Sequence, residues 1–173
     1  MHQHKTKKIA FSALFCALVF AMTWISVPAP VVGNVNLGDG MLLLCAHVLG
    51  GPWAVMAAAI GAALTDLLGA YVIYAPGTFL IKACMVAVAI LVAKLLIRCK
   101  LPALLAKILS AVCAEIVMIL GYFVYEALIL SYGFASAALN IPFNAIQGTI
   151  AIVLFAIAFP LLGKTGLLRW LEK

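Results

Sequence analysis

The sequence predicts an all-α membrane protein: a compact bundle of six transmembrane helices with both termini cytoplasmic. Three observations carry that expectation. The 173-residue chain is 68% hydrophobic and 9% charged, with a mean hydropathy of +1.26, well above the apolar share of a water-soluble domain. Its apolar stretches recur at lengths near the roughly 20 residues with which a helix crosses a bilayer. Its basic residues gather on one side of those stretches. The net charge of +6 therefore marks an inner membrane surface rather than a nucleic-acid footprint.

Each span has a start and a stop in the sequence. The first runs over residues 9–27, from Ile9 to Val27, and ends at Pro28-Ala29-Pro30, which cannot continue a helix. The second covers 36–50 and closes at Gly50-Gly51-Pro52, a turn by composition; it is short and is expected to tilt or to sit partly in the interface. The third covers 53–69 and the fourth 78–97, after which Arg98-Cys99-Lys100-Leu101-Pro102 breaks the chain. The fifth covers 104–125 and the sixth 145–162. One integral membrane domain over residues 1–173 follows, with no internal repeat and no room for a soluble domain.

Charge sets the orientation. Lys5, Lys7 and Lys8 precede the first span, Lys94, Arg98, Lys100 and Lys107 surround the loop between the fourth and fifth, and Lys164, Arg169 and Lys173 follow the sixth. The opposite loops, about 28–35, 70–77 and 126–142, hold no Lys or Arg. The basic face is cytoplasmic by the positive-inside rule. A cleavable signal peptide over residues 1–30 is disfavoured, because no small-x-small cleavage site precedes Pro30.

Ionisable residues inside spans are costly and commonly mark a pathway or a binding site. Here they are Asp39, Asp66, Lys82 and Glu115, with Glu126 at an outer end. A structural pair such as Asp66 with Lys82 is the plainer alternative. Tyr71, Tyr74, Tyr122, Tyr125 and Tyr132 all fall on the outer side, whereas an aromatic belt has two sides. Glu115 and Tyr122 are seven apart and share a helix face, and Asn140, Asn144 and Gln147 follow one another at four and three. Pro142 within that stripe is tolerable in a first helical turn. These residues form a polar outer half suited to a small heteroaromatic or polyhydroxylated ligand.

Other classes find little support. There is no GxSxG, HExxH or Walker A motif, so no catalytic residue, cofactor or metal is expected, and an ATP-driven pump cannot reside in this chain alone. His47 lies in the inner half of the second span and is read as a packed histidine. Cys16, Cys45, Cys84, Cys99 and Cys113 contain no CxxC pair and read as small apolar residues. Ala13, Ala17 and Ala21 form a small-residue stripe that lets a helix approach closely, which most often serves packing inside the same bundle.

The small six-helix architecture, the alanine stripe and the run Val35-Asn36-Leu37-Gly38-Asp39-Gly40 resemble the S components of energy-coupling factor (ECF) vitamin transporters. Leu49-Gly50-Gly51-Pro52, the segment from Gly61 through Thr65-Asp66, and Tyr74-Ala75-Pro76-Gly77-Thr78-Phe79 with Lys82 are similar to the riboflavin/hydroxymethylpyrimidine/pyridoxine-type branch. The resemblance covers residues 9–100 by motif and the rest by topology. It implies a substrate-binding subunit of an ABC-type importer in a prokaryotic cell membrane. Its partners would be a transmembrane coupling protein carrying two ATPase subunits, and it would topple in the membrane to deliver its ligand. It also implies that Ala13, Ala17 and Ala21 dock on the coupling protein. Ligand contacts in the family come from spans four to six and the outer loops. Asn36, Asp39, Tyr74, Lys82, Glu115, Tyr122, Asn140, Asn144 and Gln147 are the expected substrate-binding residues by position. The expected ligand is a vitamin B6 vitamer or hydroxymethylpyrimidine, with riboflavin or pantothenate as alternatives. The Met1-His2-Gln3-His4 start is similar to that of nickel and cobalt S components, but the lysines beside it place it on the inner side. A stand-alone proton-coupled carrier or channel using Glu115 and Asp66, and a membrane scaffold without a ligand, are the competing readings.

Overall fold

In a computed structural model of the protein, the described residues are 2–28 and 34–165. Residues Ala29 and Pro30 of the predicted first outer loop, and the basic residues Arg169 and Lys173, lie outside them. Helix α1 spans His2–Trp24 and gives way to a two-stranded antiparallel hairpin, β1 (Ser26–Pro28) against β2 (Asn34–Asn36), with Val27 opposite Val35. Then come α2 (Gly38–Val48), α3 (Gly51–Leu68), a 3-10 turn at Val72–Tyr74 and α4 (Ala75–Arg98). Helix α5 (Ala103–Val124) widens into a π turn at Tyr125–Ile129, and a short α6 (Phe134–Ala138) precedes α7 (Ile141–Lys164).

Among the described residues, five helices are long and apolar enough to cross a membrane on their own, and the remaining predicted span is the short α2. Its 11 residues rise about 16 Å, roughly half the hydrocarbon thickness. It survives at that length because it lies inside the bundle: Leu42, Leu43 and Cys45 are fully buried. Gly50 and Gly51 both take positive φ (63° and 62°), a conformation that glycine reaches without strain, and Pro52 then opens α3 in its first turn.

The bundle is helical as expected, and its outer loops add local structure: a short hairpin in the first, and the π turn and α6 within 126–142. The first helix ends at Trp24, three residues before the expected Val27, because Ser26–Pro28 is taken up in strand pairing. The sixth predicted span begins at Ile141 rather than 145, with Pro142 in its first turn.

Packing brings the pocket-bearing ends together. Thr65 hydroxyl donates to the Phe20 carbonyl at 3.4 Å, and a Cβ on Gly61 would collide with the Cys16 carbonyl, so α1 and α3 meet closely. On α1 the inward face is Phe15, Val19 and Thr23, whereas Ala13, Ala17 and Ala21 are exposed. The alanine stripe therefore takes no part in packing within this bundle. Beneath the polar end, Met85, Met118, Leu43 and Phe155 are fully buried.

Candidate functional site

The 3.6-residue period of each helix carries a polar residue to the same end of the bundle, the end remote from the α4–α5 loop. There a cleft encloses about 590 Å³, counting the open solvent at its mouth. Thr23 and the hairpin residues Asn34 and Asn36 form one wall. Asp66 and Tyr71 come from the end of α3 and the turn beyond it, and Tyr74, Thr78 and Lys82 from the start of α4. Tyr122 and Glu126 arrive from the end of α5, and Asn140, Phe143, Asn144 and Gln147 from the start of α7.

An ion pair lies at the base of this cleft. Lys82 Nζ stands 2.5 Å from Asp39 Oδ1, with both side chains almost wholly buried. The other Asp39 oxygen accepts from Gln147 Nε2 at 2.6 Å, and Gln147 Oε1 accepts from the Asn36 backbone N–H at 2.9 Å. One amide thus joins the hairpin to the ion pair. Asn36 Oδ1 in turn accepts from the Gly38 N–H at 3.0 Å, satisfying one of the orphan donors at the start of α2. Asp39 sits in the first turn of that helix, where a carboxylate complements the helix dipole.

Two further networks form the upper walls. Tyr122 and Thr78 hydroxyls meet at 3.1 Å, and Thr78 also hydrogen-bonds the Asp66 side chain. Tyr122 can therefore donate to Thr78 while Thr78 donates to the carboxylate. The Lys82 ammonium lies 5.4 Å from the Tyr122 ring centroid, within cation–π range. Across the cleft, Glu126 accepts from the Tyr74 hydroxyl at 3.3 Å and from Asn140 Nδ2 at 2.9 Å. Tyr125 buttresses this corner: its hydroxyl donates to the Ile73 carbonyl at 2.7 Å, and its ring covers Gly77, where a Cβ would stand 2.6 Å away.

Of the residues expected from sequence, Asn36, Tyr74, Lys82, Tyr122, Asn140, Asn144 and Gln147 line the cleft. Asp39 lies just beneath, held by Lys82 and Gln147. Glu115 lies deeper and does not line the cleft; it is 3% exposed, packs against Gly148 and interacts electrostatically with Asp39 and Lys82. The alternative pairing of Lys82 with Asp66 does not form, because Asp39 takes the ammonium. Thr78, Thr23, Asn34 and Phe143 were not foreseen. Thr78 carried a usable signal, since it precedes Lys82 by one turn on the same face. Asp66 and Glu126 stood out as intramembrane acids but not as cleft walls.

His47, at the other end of α2, approaches Ser110 Oγ at 3.3 Å through Nε2 and packs on the Phe155 ring with centroids 5.0 Å apart. It is a packed histidine and does not line the cleft. Among the described residues, no group of three or more His, Cys, Asp or Glu side chains could hold a metal ion.

Comparisons with known proteins agree with this architecture. The family model described as ECF-type riboflavin transporter, S component, matches residues 3–164. A solved structure of the S component of a bacterial ECF transporter superposes with a TM-score of 0.75 at 20% identity, covering 93% of this chain and 98% of the other; at that identity the likeness speaks for the fold. No curated protein matches the chain in sequence.

Proposed function

The chain belongs to the family of ECF-type riboflavin transporter S components, and from that premise we propose that it captures a small heteroaromatic vitamin at the outer membrane surface for delivery by an ATPase module. An S component is a transporter subunit, not an enzyme. The observation that carries the reading is the cleft itself. It is a polar, tyrosine-walled recess at one end of a bundle whose outer surface is otherwise apolar, with Lys82, Glu126, Asn140 and Gln147 all buried around it. Rings of Tyr74 and Tyr122 offer stacking surfaces, and amides and carboxylates offer directed hydrogen bonds.

The preferred ligand is a single-ring vitamin or precursor, a B6 vitamer or hydroxymethylpyrimidine, whose one aromatic ring and few polar substituents match the tyrosines and amides that line the cleft. Riboflavin is the second reading, favoured by the description of the matching family. With Lys94, Arg98, Lys100 and Lys107 around the α4–α5 loop, the positive-inside rule puts that loop and both termini in the cytoplasm and the cleft outside, in the cell membrane of a prokaryote. The expected partners are a transmembrane coupling protein and two ATPase subunits, engaged through the exposed Ala13, Ala17 and Ala21.

Mass spectrometry of small molecules released from gently solubilised, purified protein tests the reading. A stoichiometric B6 vitamer, pyrimidine or flavin supports it and names the substrate. A protein that releases nothing and gains no thermal stability from any vitamin in a panel sinks it.

A further inference from the structure

Four buried side-chain atoms have no hydrogen-bond partner among the described residues, and all four are acceptors: Asp66 Oδ2, Asn140 Oδ1 and both carboxyl oxygens of Glu115. Two of them belong to side chains that line the cleft, Asp66 and Asn140. Asn140 is 4% exposed, and its amide is oriented by its own bond: Nδ2 donates to Glu126, so Oδ1 is the unused end. Each buried donor group at the base of the cleft already has a protein acceptor. The Lys82 ammonium and the Gln147 amide both bind Asp39, and the Tyr74 hydroxyl binds Glu126.

Charge points the same way. Lys82 is the one cation lining the cleft among the described residues, and Asp39 neutralises it. Asp66 and Glu126 line the cleft as well, and neither has an ion-pair partner among the described residues. The cleft therefore offers unpaired acceptors, and its carboxyl groups outnumber its one cation. Buried acceptors left unpaired are costly, and a ligand that supplies donors removes the cost, whereas one that supplies more acceptors adds to it.

Resting on the vitamin-binding reading above, we infer that the ligand presents hydrogen-bond donors to Asp66 and Asn140 and carries no phosphate group. The donor at Asp66 is an amino nitrogen carried by the heterocycle, directly or through one methylene. A carboxylate forms its strongest hydrogen bonds with positively polarised N–H groups. A phosphate ester would bring a second anion toward Asp66 and Glu126 without finding an unpaired cation there, and like charges brought together oppose binding. The recess selects the free, unphosphorylated form of its vitamin.

Isothermal titration of the full-length protein in mild detergent decides this with matched probes. These are 4-amino-5-hydroxymethyl-2-methylpyrimidine against its 4-hydroxy counterpart, pyridoxamine against pyridoxine, and pyridoxine and riboflavin against their 5′-phosphates. The free form of whichever vitamin binds should exceed its phosphate ester in affinity by about 10-fold or more, the scale of one charge-assisted hydrogen bond. The amino member of a pair should bind tighter than the hydroxyl member by a similar factor, and Asp66→Asn should erase that preference. A size-exclusion profile like that of the unmodified protein shows that the variant folds; if it does not, the comparison with the phosphate ester on the unmodified chain still decides. A phosphate ester that binds as well as the free vitamin, or an amino preference that survives Asp66→Asn, overturns the inference while leaving the vitamin-binding reading intact. If the folded protein binds none of the probes, the vitamin-binding reading falls and this inference with it.

Discussion

Lys82 on α4 and Asp39 on α2 form a buried ion pair 2.5 Å apart, although 43 residues separate them in the chain. Removing one partner strands the other as an uncompensated charge among apolar helices, which typically costs about 3–5 kcal/mol. Lys82→Met should therefore lower the midpoint of thermal unfolding in detergent sharply. The double variant Lys82→Met with Asp39→Leu should recover much of that loss, because no lone charge remains. If the double variant is no more stable than the single, the pair is not what holds α2 against α4.

Gly77 and Tyr125 offer a second test. A Cβ at residue 77 would stand 2.6 Å from the Tyr125 ring, so Gly77→Ala must displace that ring and with it the hydroxyl bond to Ile73. Overpacking of this kind costs about 1–3 kcal/mol. Because Ile73 and Tyr74 share the 3-10 turn that forms one wall of the cleft, the released vitamin should bind roughly 10-fold more weakly. Truncating the obstacle with Tyr125→Ala in the Gly77→Ala background should restore part of the affinity in titration calorimetry. Unchanged affinity in Gly77→Ala would detach this corner from the binding site.

Ala17 is exposed and faces away from the bundle. A tryptophan there has space within the protein but would hold a partner helix off. Ala17→Trp should therefore abolish co-purification with the coupling protein and ATPases while leaving vitamin affinity within about twofold, a difference below roughly 0.5 kcal/mol. Intact assembly in that variant would remove the stripe from the docking surface.

Native Cys99 reports orientation. It is exposed in the turn after α4, beside Arg98 and Lys100. A membrane-impermeant maleimide should label it in inverted vesicles but not in intact spheroplasts, and a cysteine placed at exposed Ala70 should show the reverse. Labelling of Cys99 from the outside would invert the topology.

Much of the architecture was legible because apolar length is a local signal. Gly50-Gly51-Pro52 and Arg98-Cys99-Lys100 punctuate the chain where the helices in fact stop. The hairpin was not legible: its three-residue strands have no periodicity to detect, and Val27 reads equally well as the last turn of a span. In the site, spacing found faces but not depths. Glu115 and Tyr122 do share a face, yet seven residues are about 10.5 Å of rise, which takes one into the cleft wall and the other below it. The partner of Lys82 was hidden for a different reason. The rotation of α2 about its axis depends on contacts with α1, α4 and α7, and no pattern within 11 residues records them.

Below Lys82 and Asp39 lies a floor of fully buried Met85, Met118, Leu43 and Phe155, and under it His47 is wedged between Ser110 and the Phe155 ring. Cargo that settles on such a floor faces packed apolar side chains rather than open space. Under the proposed import function, such a floor favours delivery by displacement of the whole vessel over passage through it.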